Sequence, residues 1–365
     1  MQVLIVNTGS SSVKLSVLGP GDEPLGRHTI ELQGGAVTAE QMERALADLP
    51  RVDAVGHRVV HGGPEYRAPV LLDDRVVARL RELAVLAPLH LPKSLAGIEA
   101  ARKTLPDLPQ IAGLDTAFHA TLPEAATAYA VPREWRERLG VRRYGFHGLS
   151  HSYSARRSAE MLGRSAGRLV VAHLGAGASL AAVHDGVSVD TTMGFTPTEG
   201  LVMATRSGDT DPGMLLWLIQ HAGLTPEEVS DGLDRGGGLA GLTGDPDMRD
   251  VMDRVDAGDP RARLGLDVYL HRLRARIAAM AAALNGLDTL VFTAGVGEHQ
   301  PRVRSGAADG LGFLGVALDT AANEAAQGDA DVTAPGARVR TLVITAREDL
   351  EIARGVREVL GTSER

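Results

Sequence analysis

Six short segments of this chain hold residue types suited to gripping anions. The first is Asn7-Thr8-Gly9-Ser10-Ser11-Ser12-Val13-Lys14, where hydroxyls and backbone amides stand beside a lysine, a set that suits a polyphosphate. It is not a Walker A loop, because no Gly-Lys-Ser/Thr follows and the next segment reads as a strand. A plain serine-rich turn is the other reading. The second segment is Gly56-His57-Arg58-Val59-Val60-His61-Gly62-Gly63. An arginine at a strand's end beside a Gly-Gly turn can hold a carboxylate or phosphate through two parallel hydrogen bonds, or make a surface ion pair. The third, Asp115-Thr116-Ala117-Phe118-His119, ends a strand with an acid able to act as a base, as a Mg²⁺ ligand or as the cap of a following helix.

The fourth segment is Tyr144-Gly145-Phe146-His147-Gly148-Leu149-Ser150-His151. Its two histidines have the spacing of a helical metal pair, but Gly148 weakens a helix there and no HExxH glutamate accompanies them. His147, set between glycines, reads instead as a cleft residue donating to anionic oxygens. The fifth runs from Asp190-Thr191-Thr192-Met193-Gly194-Phe195-Thr196-Pro197 to Thr205-Arg206-Ser207-Gly208-Asp209-Thr210-Asp211-Pro212. It has neither strand nor helix period, and such stretches are functional or disordered; its Phe, Met and Pro argue for order. Arg206 is a second cation for transition-state charge. The sixth, Thr293-Ala294-Gly295-Val296-Gly297-Glu298, is a strand end leading through Gly-x-Gly toward a helix N-terminus that can face a nucleotide, without the full Rossmann spacing because position 300 is Gln.

These segments need a frame, and the frame reads as α/β. Apolar β-rich runs at 3–6, 55–60, 169–173 and 290–293 precede most of the glycine clusters, a further strand covers 110–115, and helical periodicity marks 75–86, 151–162 and 262–285. Residues 4–17, LIVNTGSSSVKLSV, repeat the pattern of 170–183, VVAHLGAGASLAAV, with Gly9 and Gly175 as equivalent corners 166 residues apart. Two unrelated hairpins would look the same; the sharper reading is a duplicated domain whose halves each present an anion-binding turn. The expected lobes are 1–116 plus 349–365, with the last helix returning to the first half, and 119–348, joined by a hinge with no low-complexity linker.

Composition narrows the function classes. The 365 residues include 38 basic and 46 acidic side chains, a net charge of −8, which disfavours nucleic acid and anionic membrane surfaces as partners. There is no cysteine, so disulfides, thiolate metal sites and cysteine nucleophiles are excluded. The longest apolar run, 277–284, is far short of the roughly 18 residues that span a bilayer. The first residues lack a signal-peptide pattern, so a cytoplasmic location is expected. Only Lys14, Lys93 and Lys103 are lysines, which singles out Lys14 beside its glycine turn.

Taken in order, the strings NTGSSSVK (7–14), GHRVVHGG (56–63), DTAFHATLP (115–123), YGFHGLSH (144–151), DTTMGFTPTEGLVMATRSGDTDP (190–212) and FTAGVGE (292–298) resemble the acetate kinase family, which includes propionate and butyrate kinases. The resemblance implies the duplicated two-domain fold of acetate and sugar kinases, Hsp70 and actin, with a central cleft. It implies homodimerisation, and the Mg²⁺-dependent (or Mn²⁺-dependent) transfer of a phosphoryl group from ATP to a short carboxylate. By position, Asn7 and Glu348 are the metal-associated residues, and Ser10, Ser12 and Lys14 the phosphate contacts. Arg58 and Arg206 are the pair orienting the carboxylate and neutralising the moving phosphoryl, His147 stabilises the transition state, and Asp115 accepts a proton or orients the metal. Val60, Leu89, Phe146 and Pro197 form the pocket for the acid's alkyl end, next to His90. His173, Leu174, Gly175, Ala176 and Gly177, with Asp247, Met248, Arg249, Gly295, Val296, Gly297, Glu298 and His299, contact the nucleotide.

Three departures from the family pattern stand out. Ala176 replaces an asparagine, His299 replaces another, and PLHLPKSL (88–95) has Leu91 and Lys93 in place of an asparagine and an alanine. The first two bear on the phosphoryl donor, where pyrophosphate is an alternative to ATP; the third lies next to His90. Propionate is the alternative acceptor. An ATP-binding module of actin or Hsp70 type, with no acyl substrate, is the reading from another class; it would have no use for Arg58, Arg206 and His147 around an apolar pocket.

Overall fold

The computed structural model describes residues 1–9, 12–32, 35–88 and 90–361. Its strands are β1 (Val3–Thr8), β2 (Ser12–Leu18), β3 (Pro24–Glu31), β4 (Ala54–Val59), β5 (Val70–Leu71), β6 (Gln110–Leu114), β7 (Arg168–Leu174), β8 (Ala178–His184), β9 (Val187–Thr191), β10 (Thr289–Thr293), β11 (Ala330–Asp331) and β12 (Arg340–Ile344). They form two six-stranded sheets. In the first the order is β3-β2-β1-β4-β6-β5; read from its other edge, the second is β9-β8-β7-β10-β12-β11. Each begins with three antiparallel strands, continues with two parallel additions and ends on a two-residue antiparallel edge strand. The two sheets therefore share one topology in the same chain order, and the repeat read at 4–17 and 170–183 is a duplicated fold.

The chain divides into two compact units, Met1–Ala120 with Phe146–Tyr153 and Arg347–Arg365, and Thr121–Gly145 with Ser154–Ala346. The boundary read at 116–119 lies at 120/121 in this division, and residues 146–153, read as part of the second lobe, group with the first. The helix Gly148–Leu162 starts at the glycine read as a helix weakener. A first-turn glycine is tolerated because the first four N–H groups have no intrahelical partner in any case, and here the Gly148 N–H donates to the Asp115 carbonyl at 2.8 Å.

In the first unit the central strands are apolar on both faces, as sheets covered on both sides require. Leu4, Val6 and Val55 pack with Met42 of the helix Ala39–Leu46 and Ala100 and Ala101 of the helix Leu91–Thr104. On the other face Val3, Ile5 and Ile111 meet Ile352, Ala353 and Val356 of the last helix, Glu348–Val359. That contact needs bare backbone: a Cβ at Gly56 would lie 2.5 Å from the Ile352 side chain. Leu91 is fully buried beside Leu95 and Ile98. The departure at this position therefore fills the core of this unit. In the second unit β7, β8, β10 and β12 are almost wholly buried, and the helix Pro260–Ala283 packs across β7 and β8.

Candidate active site

Parallel strand order brings the first unit's chemistry to one sheet edge. Val6 of β1 pairs with His57 of β4, so Asn7 and Arg58 are the next residues on neighbouring strands; Arg58 pairs in turn with Gly113 of β6. Asp115 follows β6, its N–H bonded to the Val59 carbonyl at 2.9 Å. Across the first hairpin Asn7 is the partner of exposed Lys14, and the Ser12 carbonyl accepts the Gly9 N–H. Ser10 and Leu89, both read as contacts, lie outside the described residues.

Arg58 is engaged. Its Nη2 donates to Asp115 Oδ2 at 2.7 Å and its Nε to Asp115 Oδ1 at 3.2 Å, with Glu348 Oε2 3.5 Å from the same Nε. The sequence reading gave Arg58 and Asp115 separate tasks; the fold makes them one ion pair, since the Asp115 side chain is 1% exposed and needs a cation there. Burial works against the Arg58 charge, but the Asp115 and Glu348 carboxylates outweigh it and keep the guanidinium protonated. Burial pushes the Asp115 carboxyl up to about 6; Arg58 pulls it down, and Glu348 pushes the same way as burial.

The His147 turn is fastened to this pair. Gly148 hangs on the Asp115 carbonyl, and the His151 N–H closes on the His147 carbonyl at 2.9 Å. His147 itself has φ +56°, a left-handed backbone that a non-glycine residue keeps only when its surroundings impose it. They do so through Phe146: its carbonyl lies 3.0 Å from His119 Nε2 and its ring meets His61 edge-on at 5.5 Å. Phe146 is 1% exposed and Val60 7%, so these two residues, expected at an alkyl pocket, are packed into the interior of the unit. His90 caps the helix Leu91–Thr104 through its carbonyl, which accepts from Lys93 and Ser94. Burial holds the neighbouring His57 and His61 rings down to about 4 and hence neutral.

In the second unit the three segments expected to contact a nucleotide converge. A cavity of about 310 Å³ is lined by Gly175 and Ala176, by Asp247, Met248 and Arg249, and by Gly295, Val296 and His299. Ala204, Leu239, Pro246, Tyr269 and Gln300 complete the wall. Pro246 and Gln300 adjoin residues already singled out, and Ala204 lies inside the fifth segment; Leu239 and Tyr269 carried no signal, being apolar or aromatic residues on helices. His173, Leu174, Gly177, Gly297 and Glu298 do not line the cavity. His173 is a buried β7 residue in register with Thr293, and Glu298 Oε1 accepts the Ala346 N–H at 2.9 Å. The short helix Ala294–His299 begins at Ala294 with φ +65°, and its far end is clamped by buried Arg304, which donates to the Gly297 and Glu298 carbonyls.

The segment 192–211 is irregular but tied down. Arg143 donates to the Thr192 and Met193 carbonyls and pairs with Glu199, which also takes the Tyr129 hydroxyl. Arg206 Nη1 donates to the Pro197 carbonyl at 2.8 Å, which joins two residues read as separate contacts.

Residues 27–354 match the family described as the Acetokinase family. The chain is 50% identical over 342 residues to an acetate kinase of Gloeobacter violaceus, covering 90% of this chain and 84% of that one. Its structure is similar to that of Porphyromonas gingivalis acetate kinase, with a TM-score of 0.90, 36% identity and coverage of 98% and 99% of the two chains. A propionate kinase from Francisella tularensis superposes as well, with a TM-score of 0.91, 34% identity and coverage of 97% and 98%.

Proposed function

The chain belongs to the acetokinase family and is a kinase, and from that premise we propose that it moves a phosphoryl group reversibly between ATP and acetate, giving acetyl phosphate and ADP. What carries acetate as acceptor is the 50% identity to the Gloeobacter violaceus protein named acetate kinase. Propionate is the second reading, supported by the propionate kinase of nearly equal TM-score. One methylene in an apolar pocket is worth only about 1–3 kcal/mol, so both acids are expected to react at different rates.

The chemistry asks for cations more than for a base. Carboxylic acids titrate near about 4, so acetate arrives as its anion and needs no proton removed. The barrier lies in bringing that anion to an anionic phosphate, and positioned charge lowers it. Arg58, Arg206 and His147 are the proposed donors to the moving phosphoryl group. Asp115, whose two oxygens are both taken by Arg58, orients that guanidinium and is not the proton acceptor in this reading.

The proposal includes Mg²⁺ carried by the nucleotide. Among the described residues no three His, Asp or Glu side chains group as a metal cage. Asp115 and Glu348 do face a single guanidinium, leaving one negative charge over at the sheet edge where Asn7 lies on the strand beside Arg58. One carboxylate and one amide oxygen beside phosphate oxygens is an ordinary Mg²⁺ environment, so Glu348 and Asn7 fit the ion. When bound it would neutralise phosphate charge.

A cytoplasmic homodimer completes the proposal. Among the described residues no helix is long and apolar enough to cross a membrane. The helix Pro212–Gln220 is mostly apolar yet buries none of its residues, with Met214, Leu216 and Trp217 exposed, and a second copy is the proposed cover. Sedimentation of wild type and of Trp217→Glu tests this: the variant is expected to be monomeric.

The function is tested by trapping acyl phosphate as hydroxamate with formate, acetate, propionate and butyrate, each with ATP, GTP or pyrophosphate. Fastest turnover with acetate and MgATP is expected. No hydroxamate from any acid, together with ATP turnover indifferent to acetate, would sink the reading in favour of a nucleotide-binding module.

A further inference from the structure

The helix Ala294–His299 supplies Gly295, Val296 and His299 to the cavity wall, and Gln300 follows it there. At six residues it is too short to hold itself in water, and its last carbonyls lack intrahelical partners. The Gln300 N–H closes on the Val296 carbonyl at 3.0 Å. The next backbone donor would come from position 301, but that residue is Pro301 and has no N–H. Arg304 takes its place. Its Nη1 donates to the Gly297 carbonyl at 2.9 Å and to the Glu298 carbonyl at 2.8 Å.

Arg304 comes from the following helix, Pro301–Asp309, and is 1% exposed. Asn323 aims it: Nε donates to Asn323 Oδ1 at 2.7 Å and Nη2 to the Asn323 carbonyl at 2.6 Å. Asn323 Nδ2 in turn donates to the Pro301 carbonyl at 3.0 Å, so the same side chain also holds the start of that helix. Every oxygen met by the guanidinium in these bonds is a neutral carbonyl oxygen, and burial works against its charge. Packing alone would be served at less cost by an apolar side chain. What a planar guanidinium adds is the fixed direction of two carbonyls at once. Neither Arg304 nor Asn323 lines the cavity, so both reach its contents only through the backbone they hold.

We propose that Arg304, aimed by Asn323, is a positioning residue for the nucleotide: by fixing the 295–300 backbone it sets the affinity for ADP and ATP and leaves that for the acid alone. This rests on reading the cavity as the nucleotide site. A wall left loose by its supporting side chains binds poorly even when every contact residue is present.

The test combines calorimetric binding of ADP, separate KM values for ATP and acetate, and thermal unfolding. The proteins are full-length wild type, Arg304→Met, Arg304→Lys, Asn323→Ala and Leu311→Ala. Leu311 is fully buried just past the same helix, so its truncation lowers stability and leaves the clamp in place. Arg304→Met is expected to weaken ADP binding and raise the KM for ATP about tenfold or more, with the KM for acetate held within about twofold. Arg304→Lys and Asn323→Ala are expected to show smaller losses of the same kind, and they decide the matter if Arg304→Met does not fold. Leu311→Ala is expected to unfold at a lower temperature yet bind ADP within about twofold of wild type. Wild-type ADP affinity in the folded Arg304 and Asn323 variants, a loss shared by Leu311→Ala, or equal rises in both KM values would overturn the role and leave the nucleotide reading standing. No ADP binding to wild type would overturn both. The expected ADP losses in a protein that makes no acyl phosphate would refute the acyl kinase reading and leave the role of Arg304 standing.

Discussion

Asp115 grips Arg58 with both carboxylate oxygens, at 2.7 and 3.2 Å, across neighbouring parallel strands and 57 residues of sequence. Each side chain fixes the other, and the Asp115 backbone carbonyl also anchors the turn that carries His147. One residue thus sets the place of two groups proposed to meet the phosphoryl.

Asp115→Asn is expected to cut kcat by about 10² or more while the KM for ATP, whose proposed cavity is lined entirely by second-unit residues, changes by less than about threefold. Breaking a buried ion pair from one side costs up to about 3–5 kcal/mol, and the partial exposure of Arg58 puts this case at the lower end. Arg58→Lys is expected to lose turnover as well, since an ammonium cannot make the two-point contact. Steady-state kinetics and urea unfolding check both; a parallel rise in the KM for ATP would contradict the assignment.

The Asp115 carboxyl, held at about 6 chiefly by burial, gives the pH profile a direction. Only the ionised form charges the pair with Arg58, so kcat is expected to fall as pH drops through about 6. The acid limb should vanish in Asp115→Asn. A limb that survives in the variant would assign it to another group.

Stability should respond to acid through two buried histidines. Burial lowers His57 and His61 from 6.5 to about 4 in the folded state, so between those values the unfolded chain binds more protons. Their stabilisation is complete above about 6.5 and is lost as pH falls toward 4, by up to about 1.4 kcal/mol per pH unit for each. Asp115, raised on folding, acts with the opposite sign: its contribution is present below 3.8 and is lost as pH rises through about 6. Two histidines outweigh one carboxyl, so the urea midpoint is expected to drop from pH 7 to pH 5. His57→Gln, which can still donate to Gln110, should flatten the slope.

Gly148→Ala is expected to be costly. The new Cβ would lie 2.2 Å from the Asp115 carbonyl oxygen, a backbone atom that cannot swing aside. A loss of about 1–3 kcal/mol in unfolding free energy and a fall in kcat larger than any change in KM for ATP are expected. Unchanged turnover would show that the His147 turn tolerates displacement from Asp115.

Gly295→Val separates binding from folding. Gly295 lines the cavity and a Cβ there would meet open space, so thermal stability is expected to hold within about 0.5 kcal/mol while the KM for ATP rises about tenfold or more. Unaltered ATP kinetics would place the nucleotide elsewhere.

The sequence by itself determined the repeated half, the glycine corners and the segments that carry the chemistry. Strand alternation, buried apolar runs and glycine turns are local properties, written within a few residues of each other, as at 4–17 and 170–183. Tertiary structure alone decided that Arg58 closes on Asp115, that 146–153 joins the first unit, that Leu91 and Phe146 are interior residues, and that Tyr269 reaches a cavity wall. Each of these depends on which strands become neighbours and which helix face turns inward. Those choices are made by burying the whole apolar surface at once, so no short stretch of residues records them.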